Sequence, residues 1–337
     1  MSLLLEEERK HTFNLGQISS ARGLLFFVAT AMIMIFHSPL QFHNPVIEFL
    51  KEYANLGVDV FLLLSGFGLY YSFSRDPNWL SFYKKRAIRI LPCLILVSAI
   101  WYLLINHAGI REWIYHASLL AFFREGDRIY WFFAVLVPLY IAYPVIHWIL
   151  EKLHSIGAVL MVAAVVVFCV VFSRFYPTMF SFWEIAISRI PVFICGAWMA
   201  PAIKQGKTIS TVWIWVSLAA FFALNAVLYL LPFNVTVERF LFWPLALSVV
   251  MMTTWLDGKL KHGAVYRALV WLGGLSMEIY LLQERVLYFL RPYMSGIDDR
   301  NLILTIVLWA ITVPLAVVLQ QVCALITRGL KGKTKYV

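Results

Sequence analysis

The sequence predicts an all-α membrane protein, a polytopic bundle of about ten transmembrane helices with the N- and C-termini in the cytoplasm. Hydrophobic residues make up 62% of the 337 positions and charged residues only 14%, whereas a soluble domain carries roughly 25% charged residues. Because a soluble core of this size cannot hide so much apolar surface, the solvent must be lipid. A β-barrel would instead show short segments of alternating polarity.

Ten apolar windows define the predicted spans, each near the ~20 residues that cross a bilayer as a helix. They are residues 23–38, 56–74, 90–107, 130–150, 156–173, 189–203, 211–231, 240–257, 270–290 and 302–326. The segment 113–123 is apolar but short, which predicts an interfacial or re-entrant helix. The first window follows a charged leader and ends in His37-Ser38-Pro39 rather than at a small-residue cleavage site, so we interpret it as a membrane helix.

The distribution of Lys and Arg predicts the orientation. With the N-terminus in the cytoplasm, most of the 28 basic residues fall on the cytoplasmic side of the spans. The loops are too short for a second domain. The chain therefore divides into a cytoplasmic leader (1–15), a membrane domain (16–327) and a basic cytoplasmic tail (328–337).

The placement of the basic residues argues against nucleic-acid binding, and the placement of the cysteines argues against a metal site or a disulfide. The net charge is +10, but the basic residues lie between apolar segments, where they anchor the chain to membrane lipid. A nucleic-acid-binding protein gathers them on a water-exposed face. The four cysteines, Cys93, Cys169, Cys195 and Cys323, have no CxxC spacing, so we expect neither a metal site nor a disulfide.

Three ionisable residues in the outer or apolar parts of the spans are candidates for chemistry, because an ionisable group at membrane depth costs at least ~2.5 kcal/mol. His37 lies in the outer part of the first span, where an imidazole can transfer protons at neutral pH. An ordinary interfacial histidine is an equally good interpretation of its position. Asp59 lies near the outer end of the second span, and Glu278 has apolar neighbours on both sides. Either carboxylate could orient the imidazole or neutralise an arginine.

A second group of candidates lies towards the cytoplasm. Arg22 begins the first span, fifteen residues before His37, so the two share a helix face about 22 Å apart. Arg86 and Arg89 are three residues apart and point to one side. With Lys85 beside them they suit phosphate oxygens, although positive-inside anchors and lipid-binding clusters are common.

Ser65 and Gly66 make a small mid-membrane spot where a ligand could approach the backbone, although close helix packing is the stronger interpretation. Trp131, Tyr140 and Arg189 are weaker candidates, and an aromatic interface belt explains Trp131 well.

Four segments, in this order, resemble the acyltransferase 3 family of integral membrane acyltransferases. They are the pair Arg22 and His37, the run Gly57-Val-Asp-Val-Phe-Leu-Leu-Leu-Ser65-Gly66-Phe67, the run Arg86-Ala-Ile-Arg89-Ile-Leu-Pro92, and Ser276-Met-Glu278-Ile-Tyr280-Leu. The chain departs from the family in two places. Fourteen residues separate Arg22 from His37 where the family usually has ten, and Gln283 stands where the family often has a histidine.

The resemblance implies an enzyme of the bacterial inner membrane that moves an acyl group, acetyl by family default, from cytoplasmic acyl-CoA to a hydroxyl of an extracytoplasmic glycan or glycolipid. It implies no metal and no permanently bound cofactor. The catalytic group would be His37, Asp59 and Glu278. The acyl-CoA site would comprise Arg22, Lys85, Arg86, Arg89, Ser65 and Gly66, and the acceptor side Trp131, Tyr140 and Arg189.

Two other functions fit the same residues. In a proton-coupled secondary transporter, His37, Asp59 and Glu278 would form a proton relay. In a non-catalytic assembly factor, the polar groups would serve helix packing alone.

Overall fold

The computed structural model describes residues 12–230, 239–240, 242–260, 263–294 and 300–332. Most of the predicted leader, residues 1–11, and the end of the predicted tail, residues 333–337, lie outside the described residues, as do residues 231 and 241 of two predicted spans. The described helices and strands are β1 (Thr12–Asn14), α1 (Gln17–Ser20), α2 (Arg22–His37), α3 (Pro45–Glu52), α4 (Gly57–Arg75), α5 (Trp79–Ala99), α6 (Gly109–Ala117), α7 (Leu120–Glu125), α8 (Trp131–Phe175), α9 (Pro177–Ile187), α10 (Ile190–Lys204), β2 (Thr208–Ser210), α11 (Val212–Leu230), α12 (Phe242–Asp257), α13 (Ala264–Gly273), α14 (Ser276–Leu290) and α15 (Arg300–Gly332).

The helical membrane class predicted from composition is confirmed. Within the described residues, five helical stretches are long and apolar enough to cross a membrane: Pro45–Arg75, Trp79–Ile105, Arg128–Phe175, Pro177–Lys204 and Asn301–Arg328. A sixth candidate is the pair Ala264–Gly273 and Ser276–Tyr293, which meet at a bend of 74°. The total of ten spans and the cytoplasmic termini remain predictions.

The helix boundaries explain why fewer spans qualify than the hydropathy windows predict. The predicted first span is α2, which has 16 residues, fewer than the ~20 of a full crossing. Two predicted spans, 130–150 and 156–173, lie in the one helix α8, whose backbone breaks at His154 with φ 47° and ψ −126°. The segment 113–123 falls in the short helices α6 and α7, which meet at Leu119 with φ 67°.

The helix α4 lies at the centre of the bundle and packs closely against α10. A Cβ atom on Gly66 would collide with the carbonyl oxygen of Phe193, and one on Gly196 would collide with the carbonyl oxygen of Leu63. Both glycines therefore let two backbones touch, which is the usual use of small residues between membrane helices. Gly66 faces this helix contact. Of the two interpretations of the Ser65-Gly66 pair, close helix packing therefore describes Gly66 better than approach of a ligand.

The helix α2 is held between α4, α13 and α14. At its start, Gly273 of α13 lies against the backbone of Gly23 so closely that a side chain at 273 would collide with it. Towards its end, Met34 joins a buried apolar cluster with Leu275, just before α14, Ile279 of α14 and Leu308 of α15. This cluster fixes α14 beside the last turn of α2, where His37 lies.

Candidate active site

His37 is the last residue of α2, and both of its ring nitrogens have partners. Nε2 lies 3.0 Å from Oε1 of Glu284. Nδ1 lies 3.1 Å from the carbonyl oxygen of Ile33 and 3.3 Å from Nε2 of Gln283. A carboxylate on one nitrogen and two polar groups on the other fix the orientation of the ring, and the carboxylate stabilises an imidazolium.

Glu284, the carboxylate that contacts His37, is not among the catalytic residues predicted from the sequence. Its second oxygen, Oε2, lies 3.6 Å from Nη2 of Arg291, so the side chain bridges His37 and a cation. One signal was present in the sequence. Glu284 is an acidic residue in an apolar span and stands next to the position where the family often carries a histidine.

Within the described residues neither Asp59 nor Glu278 contacts the imidazole, and of their two predicted roles the contacts of Asp59 fit the neutralisation of an arginine. The part of both residues in catalysis stays a prediction. Asp59 is fully buried, and its Oδ2 lies 3.3 Å from Nε of Arg189, because a buried carboxylate needs an opposite charge. Glu278 lies 3.9 Å from the Sγ atom of Cys93. Glu284 follows Glu278 by six positions on α14, which turns the two side chains onto different faces of the helix.

A cavity of about 480 Å³ opens beside His37. We call it the outer chamber and define it by His37, Trp131, Arg189, Glu284 and Arg285. Its lining within the described residues also includes Asn55, Asp127, Arg128, Arg239, Gln283 and Arg291. The rest of the lining is apolar and aromatic. Several arginines thus stand in a largely apolar wall, which suits a polar, hydroxyl-bearing or anionic ligand.

Two of the three residues predicted for the acceptor side line this chamber. The guanidinium of Arg189 lies over the ring of Trp131, 4.9 Å from its centroid, and both residues belong to the lining. Tyr140, the third, lies elsewhere: it lines a second cavity together with Arg86.

The second cavity, of about 80 Å³, brings together most of the residues predicted to bind the acyl donor. We call it the inner cavity and define it by Arg22, Ser65, Arg86, Arg89 and Tyr140. Its described lining holds three arginines and no carboxylate. Because nothing in this lining neutralises the cations, the inner cavity is suited to an anion.

Local contacts hold two of these arginines in place. The guanidinium of Arg22 lies 5.2 Å from the ring centroid of Phe26, and the absence of a side chain at Gly68 leaves the space that it fills. Arg86 donates a hydrogen bond to the Ser72 hydroxyl and lies 5.3 Å from the ring centroid of Phe82. Aromatic faces hold the cations without neutralising their charge.

Lys85, also predicted for the donor site, does not belong to the described lining of the inner cavity. Its Nζ lies 2.8 Å from Oδ2 of Asp76 at the surface. Hydrogen bonds from Lys85 and Ser81 lower the pKa of Asp76 to about 2, so this carboxylate stays charged and Lys85 stays paired near neutral pH.

Tyr280 is the one residue common to the described linings of the two cavities. It lies on α14, one turn before Glu284, and its ring centroid is 5.1 Å from that of Phe132 and 6.1 Å from that of Phe133. The aromatic cluster of Tyr280, Phe132 and Phe133 therefore separates the arginines of the inner cavity from the imidazole of the outer chamber.

The apolar helices are those of a multi-pass membrane protein, and two cavities lie among them. The chain belongs to the acyltransferase 3 family, whose acyltransferase domain matches residues 25–324. The predicted resemblance is thereby confirmed, and the protein is a membrane acyltransferase. No curated protein and no solved structure matches the chain.

Proposed function

We propose that the protein transfers an acetyl group from cytoplasmic acetyl-CoA to a hydroxyl of an extracytoplasmic glycan or glycolipid. The observation that supports this most directly is the His37–Glu284 pair at the wall of the outer chamber, with the arginine-lined inner cavity on the other side of Tyr280. One cavity then receives the donor, and the other receives the acceptor.

The donor binds through its phosphates to Arg22, Arg86 and Arg89. Guanidinium groups bind phosphate oxygens in pairs, and no carboxylate in the described lining competes for them. The inner cavity, at about 80 Å³, holds only a small part of acyl-CoA, so the nucleotide lies outside it and the thioester arm points towards Tyr280. This small volume favours a short acyl group.

His37 acts as the general base. With Nε2–H donated to Glu284, the neutral ring keeps its lone pair on Nδ1, where the Gln283 amide donates at 3.3 Å. The Ile33 carbonyl oxygen, 3.1 Å from Nδ1, accepts the Nδ1–H once the ring is protonated. For transfer, the Tyr280 side chain turns aside and the thioester carbonyl enters the outer chamber. An acceptor hydroxyl that replaces the Gln283 amide then gives its proton to Nδ1 while its oxygen attacks this carbonyl. The C–O bond forms, the C–S bond breaks, and the imidazolium returns the proton to the departing thiolate. Glu284 stabilises the imidazolium in between.

Mass spectrometry of cell-surface glycans tests the proposal in the cell. Glycans from cells with the intact gene should carry an acetyl mass that is absent without the gene. The mass should return with the wild-type chain but not with His37→Ala. A transporter leaves no such covalent mark, so an identical glycan mass spectrum with and without the gene would contradict the proposal.

A further inference from the structure

A third cavity opens on the side of the bundle and is apolar. It has a volume of about 440 Å³ and lies between α5, α14 and α15. We call it the lateral groove and define it by Ile100, Phe289, Ile311, Leu315 and Val318. Several of these side chains are exposed on the surface, Val318 by 57% and Phe289 by 53%, so the groove is open to the surrounding lipid.

The groove has the length of a lipid chain within one leaflet. Ile311, Leu315, Val318 and Val322 line it and recur every three or four residues, so they form one face of α15. The last follows the first by eleven positions, which corresponds to about 16 Å along the helix. This is about half of the ~30 Å hydrocarbon core of a bilayer.

At one end the lateral groove meets the outer chamber. Trp101 and Arg285 belong to the described linings of both cavities. A molecule with a hydrocarbon chain in the groove would therefore place its polar end among the arginines of the chamber, on the same side as His37.

Arg285 at this junction is buried, with 7% of its surface exposed. Its Nη2 atom has no hydrogen-bond partner among the described residues. The guanidinium lies over aromatic rings, 4.6 Å from the centroid of Tyr130 and 5.9 Å from that of Trp101. A buried guanidinium with an unpaired N–H group is costly, so the Nη2 atom is a site at which an anion would bind.

We infer that the lateral groove and Arg285 together bind the acceptor as a lipid-linked molecule, with one hydrocarbon chain in the groove, a phosphate on Arg285 and the hydroxyl-bearing headgroup in the outer chamber. The inference deepens the proposed function and rests on it for the transfer step. The binding step does not depend on transfer. A phosphate fits because the groove is apolar along its length and cationic only where it joins the chamber.

Native mass spectrometry of the purified full chain tests the binding step, with geranylgeranyl phosphate as the probe and geranylgeraniol as its uncharged counterpart. The phosphate should be retained at least tenfold more than the alcohol. Arg285→Gln should abolish this preference, and Arg285→Lys should keep part of it. Val318→Trp should reduce retention of both probes, whereas Ile306→Trp, an exposed position on α15 outside the groove, should leave retention unchanged.

Three results would overturn the inference. Equal retention of the phosphate and the alcohol would mean that no headgroup is recognised. Displacement of geranylgeranyl phosphate by an equal concentration of inorganic phosphate would mean that the site binds free phosphate. Unchanged retention in a folded Arg285→Gln or Val318→Trp variant, judged by an unaltered melting temperature, would place the lipid elsewhere.

The His37→Ala variant separates this inference from the proposed function. It should retain geranylgeranyl phosphate as the wild type does and lose acyl transfer. A wild-type chain that acetylates a water-soluble glycan but retains neither probe would contradict the lipid site alone. A chain that retains the phosphate but never transfers acetyl would contradict the proposed function alone.

Discussion

The contacts of individual residues give three carboxylates of the membrane domain different neighbours. Glu284 contacts His37, whereas Asp59 pairs with Arg189 and Glu278 lies beside Cys93. Only Glu284 is placed to stabilise a proton on the imidazole, because the other two face different neighbours. At this scale the proposed chemistry depends on one hydrogen bond.

Replacing Glu284 by glutamine should reduce the rate of acetyl transfer about a thousandfold or more, since an amide neither fixes the same tautomer nor stabilises the imidazolium. The KM for acetyl-CoA should stay the same, because Glu284 is not part of the inner cavity. Steady-state kinetics with purified protein measure both parameters. Glu151→Gln is the control, because Glu151 is an exposed carboxylate that accepts a hydrogen bond from the Tyr70 hydroxyl. A Glu284→Gln variant as fast as this control would exclude the role.

Replacing Arg86 or Arg89 by alanine should raise the KM for acetyl-CoA by roughly 10- to 100-fold, because each removes charge-assisted hydrogen bonds to phosphate. Lys85→Ala should leave this KM unchanged, since the lysine is already paired with Asp76. A donor titration compares the three variants. An equal increase in this KM for Lys85→Ala and Arg86→Ala would show that Lys85 binds the donor despite its ion pair with Asp76.

The candidate residues that could be named from the sequence are those whose own position in the chain is unusual. A histidine at the end of a span, and an arginine pair spaced three apart, are visible without knowing their neighbours. Glu284 becomes a partner of His37 only because α14 crosses the last turn of α2. Its role therefore depends on a contact between residues 247 positions apart in the chain, which no local pattern contains.

At the scale of secondary structure, α2 joins the two cavities. It begins with Arg22 in the inner cavity and ends with His37 in the outer chamber. Two glycines of α4 have different neighbours. Gly68 leaves room for the flexible Arg22 side chain, whereas Gly66 lies against the backbone of α10. The sequence shows both as small residues in one helix and cannot show which neighbour each one meets.

Valine at position 66 should therefore affect stability, whereas valine at position 68 should affect donor binding. Gly66→Val forces two backbones apart and should destabilise the protein by at least ~1–3 kcal/mol, seen as a lower melting temperature in detergent. Gly68→Val should push aside the Arg22 guanidinium, raising the KM for acetyl-CoA while the melting temperature changes little. Equal destabilisation by both variants would contradict this assignment of the neighbours.

At the scale of the whole molecule, the aromatic cluster around Tyr280 keeps two cavities apart. The class of the fold follows from composition and hydropathy, because a lipid solvent imposes long apolar helices. The cavities cannot be predicted from composition or hydropathy, because their walls come from distant segments of the chain. The length of a span is also difficult to predict, since α8 runs through two hydropathy windows with a break at His154.

Removing the Tyr280 ring should join the cavities and expose the thioester to water. Tyr280→Ala is therefore expected to release CoA from acetyl-CoA in the absence of an acceptor, several times faster than the wild type. A thiol assay measures the release. Tyr176→Ala, at an exposed ring outside both cavities, should behave as the wild type does. No increase in a folded Tyr280→Ala variant would mean that the ring is not the partition.

The most direct test is acetyl transfer by the purified His37→Ala protein, with His43→Ala, in the exposed loop after α2, as the control. With radiolabelled acetyl-CoA and the glycan fraction of cells that lack the gene, the wild type and His43→Ala should label the glycan. Folded His37→Ala should leave it unlabelled. Label incorporated by His37→Ala at the wild-type rate would show that the imidazole at the end of α2 takes no part in the reaction.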